Sequence, residues 1–187
     1  MFYNCINLQD VTITNAISAI GNLAFYGCRS LVSISFPSRV DSIGEKAFYE
    51  LLKLESIEIL NEVNSIGESA FEKCSMLSSA KFLNGINSIA NRSFYDCTNL
   101  KSITLGTGLT SIGSFAFYQC KSLTTVGIPA DYNKLNMAGN EINSIGESAF
   151  AFCSSLESII IPSGINYICP RIFDSCSKLS YVRYLGL

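Results

Sequence analysis

The sequence predicts an α/β solenoid of about eight stacked 23-residue repeats, with a parallel sheet along one face. Three observations predict it. Phe recurs at 2, 25, 48, 71, 94, 117, 150 and 173, every step being 23 residues except the 33 between Phe117 and Phe150. Leu follows each of them six residues on, from Leu8 and Leu31 through to Leu156 and Leu179. Ile stands five residues before every Phe after the first, from Ile20 and Ile43 to Ile145 and Ile168. So strict an internal period marks a repeat architecture, because one unit this short cannot bury its apolar residues until neighbours stack on it.

Within a repeat the period changes along the chain. In Leu31 to Phe36, LVSISF, apolar residues alternate with Ser, which predicts a short strand with Ile34 and Phe36 turned inward. Pro37 can end that strand. Val40 and Ile43 continue the inward set at wider spacing, as coil or as a second short strand. Gly44 stands where five of seven repeats carry Gly, which predicts a turn whose backbone conformation Gly tolerates best. Ala47, Phe48, Leu51 and Leu54 then fall at i, i+1, i+4 and i+7, the spacing of one face of a short helix. Stacked in register, the Phe, Leu, Ile and Cys positions become continuous inner columns. The expected organisation is one solenoid over residues 1–187, with a loop insertion at about 130–141 that reads ADYNKLNMAGNE.

Composition narrows the function. Of 187 residues 48% are apolar and 15% charged, enough for a sizeable core. A formal charge of -2 with no basic run makes nucleic acid a poor partner. No stretch approaches the roughly 18 apolar residues of a membrane span, and the first segment lacks the basic start and apolar block of a signal peptide. The chain has no His, the side chain most used as a general base and as a metal ligand. Ser/His/Asp and Cys/His hydrolases are thereby excluded, and no CxxC pair is present to begin a four-Cys zinc site. No enzyme activity, catalytic residue, cofactor or metal site is expected.

The frame LxxIxxPxxVxxIGxxAFxxCxxL, legible in LVSISFPSRVDSIGEKAFYELLKL and again in LESIIIPSGINYICPRIFDSCSKL, resembles the BspA-type leucine-rich repeat. The resemblance covers Phe2 to about Tyr184 apart from the insertion. It departs from the more familiar leucine-rich repeat, whose Asn or Cys position is occupied here by Arg39 and Asn87 but also by Glu62 and Gly164. The resemblance implies a right-handed curved solenoid and a non-catalytic role in adhesion or other protein binding at a cell surface, toward a host or matrix. A cytoplasmic location stays open, since many unpaired thiols suit a reducing interior.

Five features are candidates for more than packing. Cys5, Cys28, Cys74, Cys97, Cys120, Cys153 and Cys176 share one column, which is replaced by Leu51 in the third repeat, so they are expected to be free, buried and inert. Cys169 stands outside that column, at the Gly position, and is the candidate reactive or bridging thiol. The outward strand positions, Thr12, Ser33, Ser35, Ser56, Ser79, Ser102, Thr104, Thr125 and Ser158, form a small polar face interrupted by Glu58, Lys81, Tyr181 and Arg183. Tyr3, Tyr26, Tyr49, Tyr95 and Tyr118 follow their Phe by one residue, and are expected to stack between repeats. The insertion supplies the candidate partner-binding residues: Tyr132, Leu135 and Met137 as apolar anchors, Asp131 and Lys134 as a polar rim. The one sequon, Asn91-Arg92-Ser93, places Ser93 where other repeats have Ala beside the core Phe, so it reads as chance.

The leading expectation is a module that binds a protein or glycan ligand. The alternative is a structural solenoid that associates end to end through uncapped ends, as a homo-oligomer, or scaffolds intracellular partners.

Overall fold

The computed structural model describes residues 1–14, 17–36, 40–84, 86–107, 109–127, 144–161 and 167–184. Its architecture is a parallel-strand solenoid of about six turns. The strands that the alternating segments predict are β1 (Asp10–Thr12), β3 (Ser33–Ser35), β5 (Ser56–Glu62), β7 (Ser79–Asn84), β9 (Ser102–Thr107), β11 (Thr125–Gly127), β13 (Ser158–Ile161) and β14 (Tyr181–Tyr184). A second, two-residue strand follows on another side of the coil: β2 (Ala19–Ile20), β4 (Ser42–Ile43), β6 (Ser65–Ile66), β8 (Ser88–Ile89), β10 (Ser111–Ile112) and β12 (Ser144–Ile145).

The short strands form one unbroken six-stranded sheet, in the order β12-β10-β8-β6-β4-β2, in which Ile pairs with Ile throughout and Ser with Ser except where Ala19 faces Ser42. A further bridge joins Ile145 to Ile168. The longer strands divide into β1-β3, β11-β9-β7-β5 and β13-β14. Here too the register follows the period, with Ser79 opposite Ser56 and Ser102 opposite Ser79.

The expected helix is absent among the described residues, and with it the α/β class. In its place the chain makes consecutive i→i+3 turns. Ala47 N–H donates to the Gly44 carbonyl and Tyr49 N–H to that of Lys46, both at 3.3 Å. The alternate amides point along the solenoid: Lys46, Phe48 and Glu50 donate to the carbonyls of Glu68, Ala70 and Glu72 in the next turn, at 2.8 to 2.9 Å. This needs two left-handed residues per turn, at Lys46 (φ 49°) and Glu50 (φ 56°) and at their counterparts in the other repeats, the first of which has Asn4 alone. A helix would satisfy its amides within itself. The turn chain instead sends half of them to the neighbour, so it contributes to cohesion along the axis as a sheet does.

The glycine column serves a different purpose from the one its position suggested. None of Gly44, Gly67, Gly113 and Gly146 is left-handed, yet a Cβ on any of them would come within 2.3 to 2.7 Å of backbone atoms in the preceding turn. Gly is required there for close approach of neighbouring backbones.

The core consists of the predicted columns. Phe48, Phe71, Phe94 and Phe117 are fully buried, as are Leu54, Leu77, Leu100 and Leu123. Eight phenylalanine rings, Phe2 to Phe173, stack face to face along the axis with centroids 5.0 to 5.9 Å apart. The ring column has eight members, whereas the solenoid has about six turns rather than the expected eight, and its unbroken ladder six rungs. Offset-stacked pairs add about 0.5–1.5 kcal/mol each beyond their burial.

Candidate functional site

The strands divide cleanly between core and solvent. In β5 Ile57 and Ile59 are buried while Ser56 and Glu58 are exposed. Ser33, Ser35, Ser102 and Ser158 are likewise exposed, and Ser79 and Thr104 half-buried. Lys81 Nζ donates to Glu58 Oε1 at 2.6 Å across this face, and Ser33 Oγ to Asp10 Oδ1 at 2.7 Å. Both partners of the ion pair are about half exposed, so solvent screening leaves it little weight. The face offers hydroxyls in straight columns, with Glu58 and Lys81 as its charged interruption.

The short-strand sheet carries a shallow groove of about 420 Å³ over Ser88, Ser111, Ser144, Asn91, Ser114 and Cys169. Its floor is flat because Gly113 and Gly146 bring the backbones together there. Asn91 Oδ1 accepts from Ser114 N–H at 2.9 Å, which ties the sequon's amide into the wall. Ser93 is fully buried and donates to the carbonyls of Ala90 and Gly67, as its Ala-like place in the frame implies.

The thiols behave as core residues. Cys28, Cys74, Cys97, Cys120 and Cys153 are buried and unpaired, and each Sγ donates to the carbonyl of the stacked Phe one turn back, for example Cys97 to Phe71 and Cys74 to Phe48 at 3.0 Å. Burial pushes the thiols of Cys97, Cys120 and Cys153 well above the ordinary range, so almost none is thiolate near neutral pH. At the ends of the column Cys5 is exposed and Cys176 half-buried, and Cys169 is half-buried on the groove. Among the described residues no three of Cys, Asp and Glu are placed to hold a metal ion.

The tyrosine row stacks between turns as expected. Tyr3, Tyr26 and Tyr49 lie 5.0 and 4.8 Å apart, and Tyr95 and Tyr118 4.9 Å apart. Glu72, nearly buried, takes the intervening place. The sequence frame missed what surrounds Tyr118. Phe115 and Phe152 each set a ring against it at 5.7 and 5.2 Å, both tilted by about 60°. Neither belongs to the Phe column, and each is partly exposed. The candidate residues of the insertion, Asp131, Tyr132, Lys134, Leu135 and Met137, lie outside the described residues.

Comparison with known proteins agrees with the frame. The profile of the BspA type leucine rich repeat region matches in six copies, over residues 1–124 and 77–185. No curated protein matches the chain as a relative. Among solved structures, a leucine rich repeat protein of T. pallidum is similar at 26% identity with a TM-score of 0.69, over 93% of this chain and 73% of that one. A leucine-rich repeat protein from Eubacterium ventriosum superposes with a TM-score of 0.76 at 23% identity, over 92% of this chain and 44% of that one, and so shares the fold.

Proposed function

Because the chain belongs to the BspA-type leucine-rich repeat family, we propose that it is a non-catalytic module that binds a protein partner at a cell surface. Leucine-rich repeats generally serve protein interaction. The observation that carries the proposal is the division of the strands between an inner face of buried Ile and an outer face of exposed Ser. It yields an extended stiff surface in which neighbouring side chains are held one rung apart, so little ordering entropy is lost on binding. The cell-surface placement rests on the family alone. No helix among the described residues is long and apolar enough to cross a membrane.

Within this proposal the insertion supplies the distinctive contact, Tyr132, Leu135 and Met137 bringing apolar area and Asp131 and Lys134 orienting it. The test is excision of residues 131–140, which restores the 23-residue period. Loop length enters stability only logarithmically, so the shortened protein should fold with little change. Its affinity for the partner captured by the intact chain should fall at least about tenfold, or about 1.4 kcal/mol. Unchanged affinity would move the site to the polar strand face.

A second proposal, association end to end, is favoured by one observation. Tyr167, Ile168, Tyr181 and Val182 are exposed on the last described rung, and Met1, Tyr3 and Ile6 on the first.

A further inference from the structure

Phe115 and Phe152 stand in left-handed backbone, with φ of 58° and 61°. Every repeat has such residues, but the same two columns elsewhere hold mostly small, charged or amide side chains, such as Ser69, Ser148, Gly27 and Gln119. A bulky residue is disfavoured there, since its Cβ crowds the following carbonyl. A ring that also stays partly in water gains little burial in return, Phe152 being 38% exposed. The fold therefore does not require aromatic residues at these two positions. They occupy adjacent rungs and different columns, and both meet Tyr118.

Arg92 completes the cluster. Its Cζ lies 5.5 Å from the centre of the Tyr95 ring and 5.6 Å from that of Phe115, within cation–π range of both. Among the described residues it makes no ion pair, in contrast to Arg29, which is bound to Glu50 at 2.8 Å. Its guanidinium is positioned by aromatic faces while its donor edge stays open, which suits it to carboxylate recognition. Tyr, Phe and Arg on a rigid frame are also the residues that carry most binding energy at protein interfaces.

We propose that Arg92, Phe115, Tyr118 and Phe152 form a docking site for a protein partner, seating an apolar side chain against the rings and a neighbouring carboxylate on Arg92. The site deepens the protein-binding function proposed above and uses no residue of the insertion. It selects a single carboxylate over an acidic run, because the negative groups Asp96 and Glu72 already act on Tyr95. Burial and then Tyr118 push the Tyr95 hydroxyl up, Asp96 and Glu72 add to this, and Arg92 opposes it.

The test is an NMR titration of the intact chain with three probes: N-acetylphenylalanine, its neutral amide, and glucuronate. The acid should shift the ring resonances of Phe115, Tyr118 and Phe152 saturably, with the amide at least about tenfold weaker. Arg92→Gln should erase that preference. Phe152→Asn should weaken the acid at least about tenfold while raising the thermal midpoint, since Asn tolerates left-handed backbone; a role in packing alone would lower it. Absence of a saturable shift, equal binding of acid and amide, stronger binding of glucuronate, or a lowered midpoint with binding intact would each overturn the proposal. If the acid binds as expected but the intact chain captures no protein, the broader function fails and the site stands. If a captured partner is indifferent to Phe115 and Phe152, the site fails and the broader function stands.

Discussion

The backbone N–H of Ala90 reaches the carbonyl oxygen of Ile66 at 3.3 Å, whereas the glycines of the same column close the equivalent bond at 2.7 to 2.8 Å. One methyl group holds two rungs slightly apart. At Gly113 a Cβ would meet Asn91 N at 2.5 Å, while at Gly21, just after the first short strand, nothing lies within 4 Å. Gly113→Ala should therefore destabilise the protein by about 1–3 kcal/mol through overpacking. Gly21→Ala should stabilise it by about 0.4–1 kcal/mol by restricting the unfolded chain. Calorimetric midpoints of the two variants should move in opposite directions, and a shared direction would refute close approach as the reason for glycine.

Removal of one ring from the phenylalanine column should be severe. Phe94 is fully buried and stacked at 5.0 and 5.4 Å on Phe71 and Phe117. Phe94→Ala should cost about 3–5 kcal/mol in urea unfolding. Because each rung touches only its neighbours, the loss should also broaden the transition by decoupling the two halves. A cost below about 1 kcal/mol would place Phe94 outside the core.

The buried thiols predict a pH dependence with a definite sign. Their folded pKa is raised by burial, so their contribution is fully present below the unfolded thiol value of about 8.5 and is lost as pH rises above it. The urea midpoint, once the contributions of Tyr and Lys are matched in a Cys97→Ala, Cys120→Ala control, should decline between about pH 8.5 and 10.5 more steeply in the parent. Alkylation at pH 8 should reach Cys5 quickly and Cys97 only on unfolding. Equal rates for the two would contradict the buried column.

Exposure of Tyr181 and Val182 on β14, and of Ile168 next to β12 of the short-strand sheet, predicts self-association of this chain. Light scattering should show mass rising with concentration, and Val182→Lys together with Ile168→Lys should suppress the rise. A constant monomer mass across the range would remove end-to-end association from consideration.

Much of this architecture was legible because the inward residues repeat without fail. Ile43, Phe48 and Leu54 mark the core in sequence and in structure alike. The helix was misread for a physical reason. A chain of i→i+3 turns returns a side chain to the core every three or four residues, so Ala47, Phe48, Leu51 and Leu54 show helical spacing without a helix. Gly or Asn at the left-handed positions marks such turns, but Asn4 and Gly27 do so in two repeats while Lys46, Glu50 and Lys73 stand at the same places in others. The cluster around Tyr118 was hidden differently. Arg92 and Phe115 share one column, two residues before Phe94 and Phe117, whereas Phe152 stands two residues after Phe150, and only stacking brings the three together.

The rung spacing also separates distance in space from distance along the gene. Centroids in the ring columns advance by roughly 5 Å for each 23 residues, so side-by-side surface positions are encoded far apart and belong to different repeats. A contact patch four rungs long draws on about ninety residues of chain, yet takes only one or two from each repeat. Every outward position can then be altered without disturbing the column beneath it, because inward and outward residues never share a site. The recognition surface of such a coil can diversify one residue at a time, while the frame that holds it stays the same.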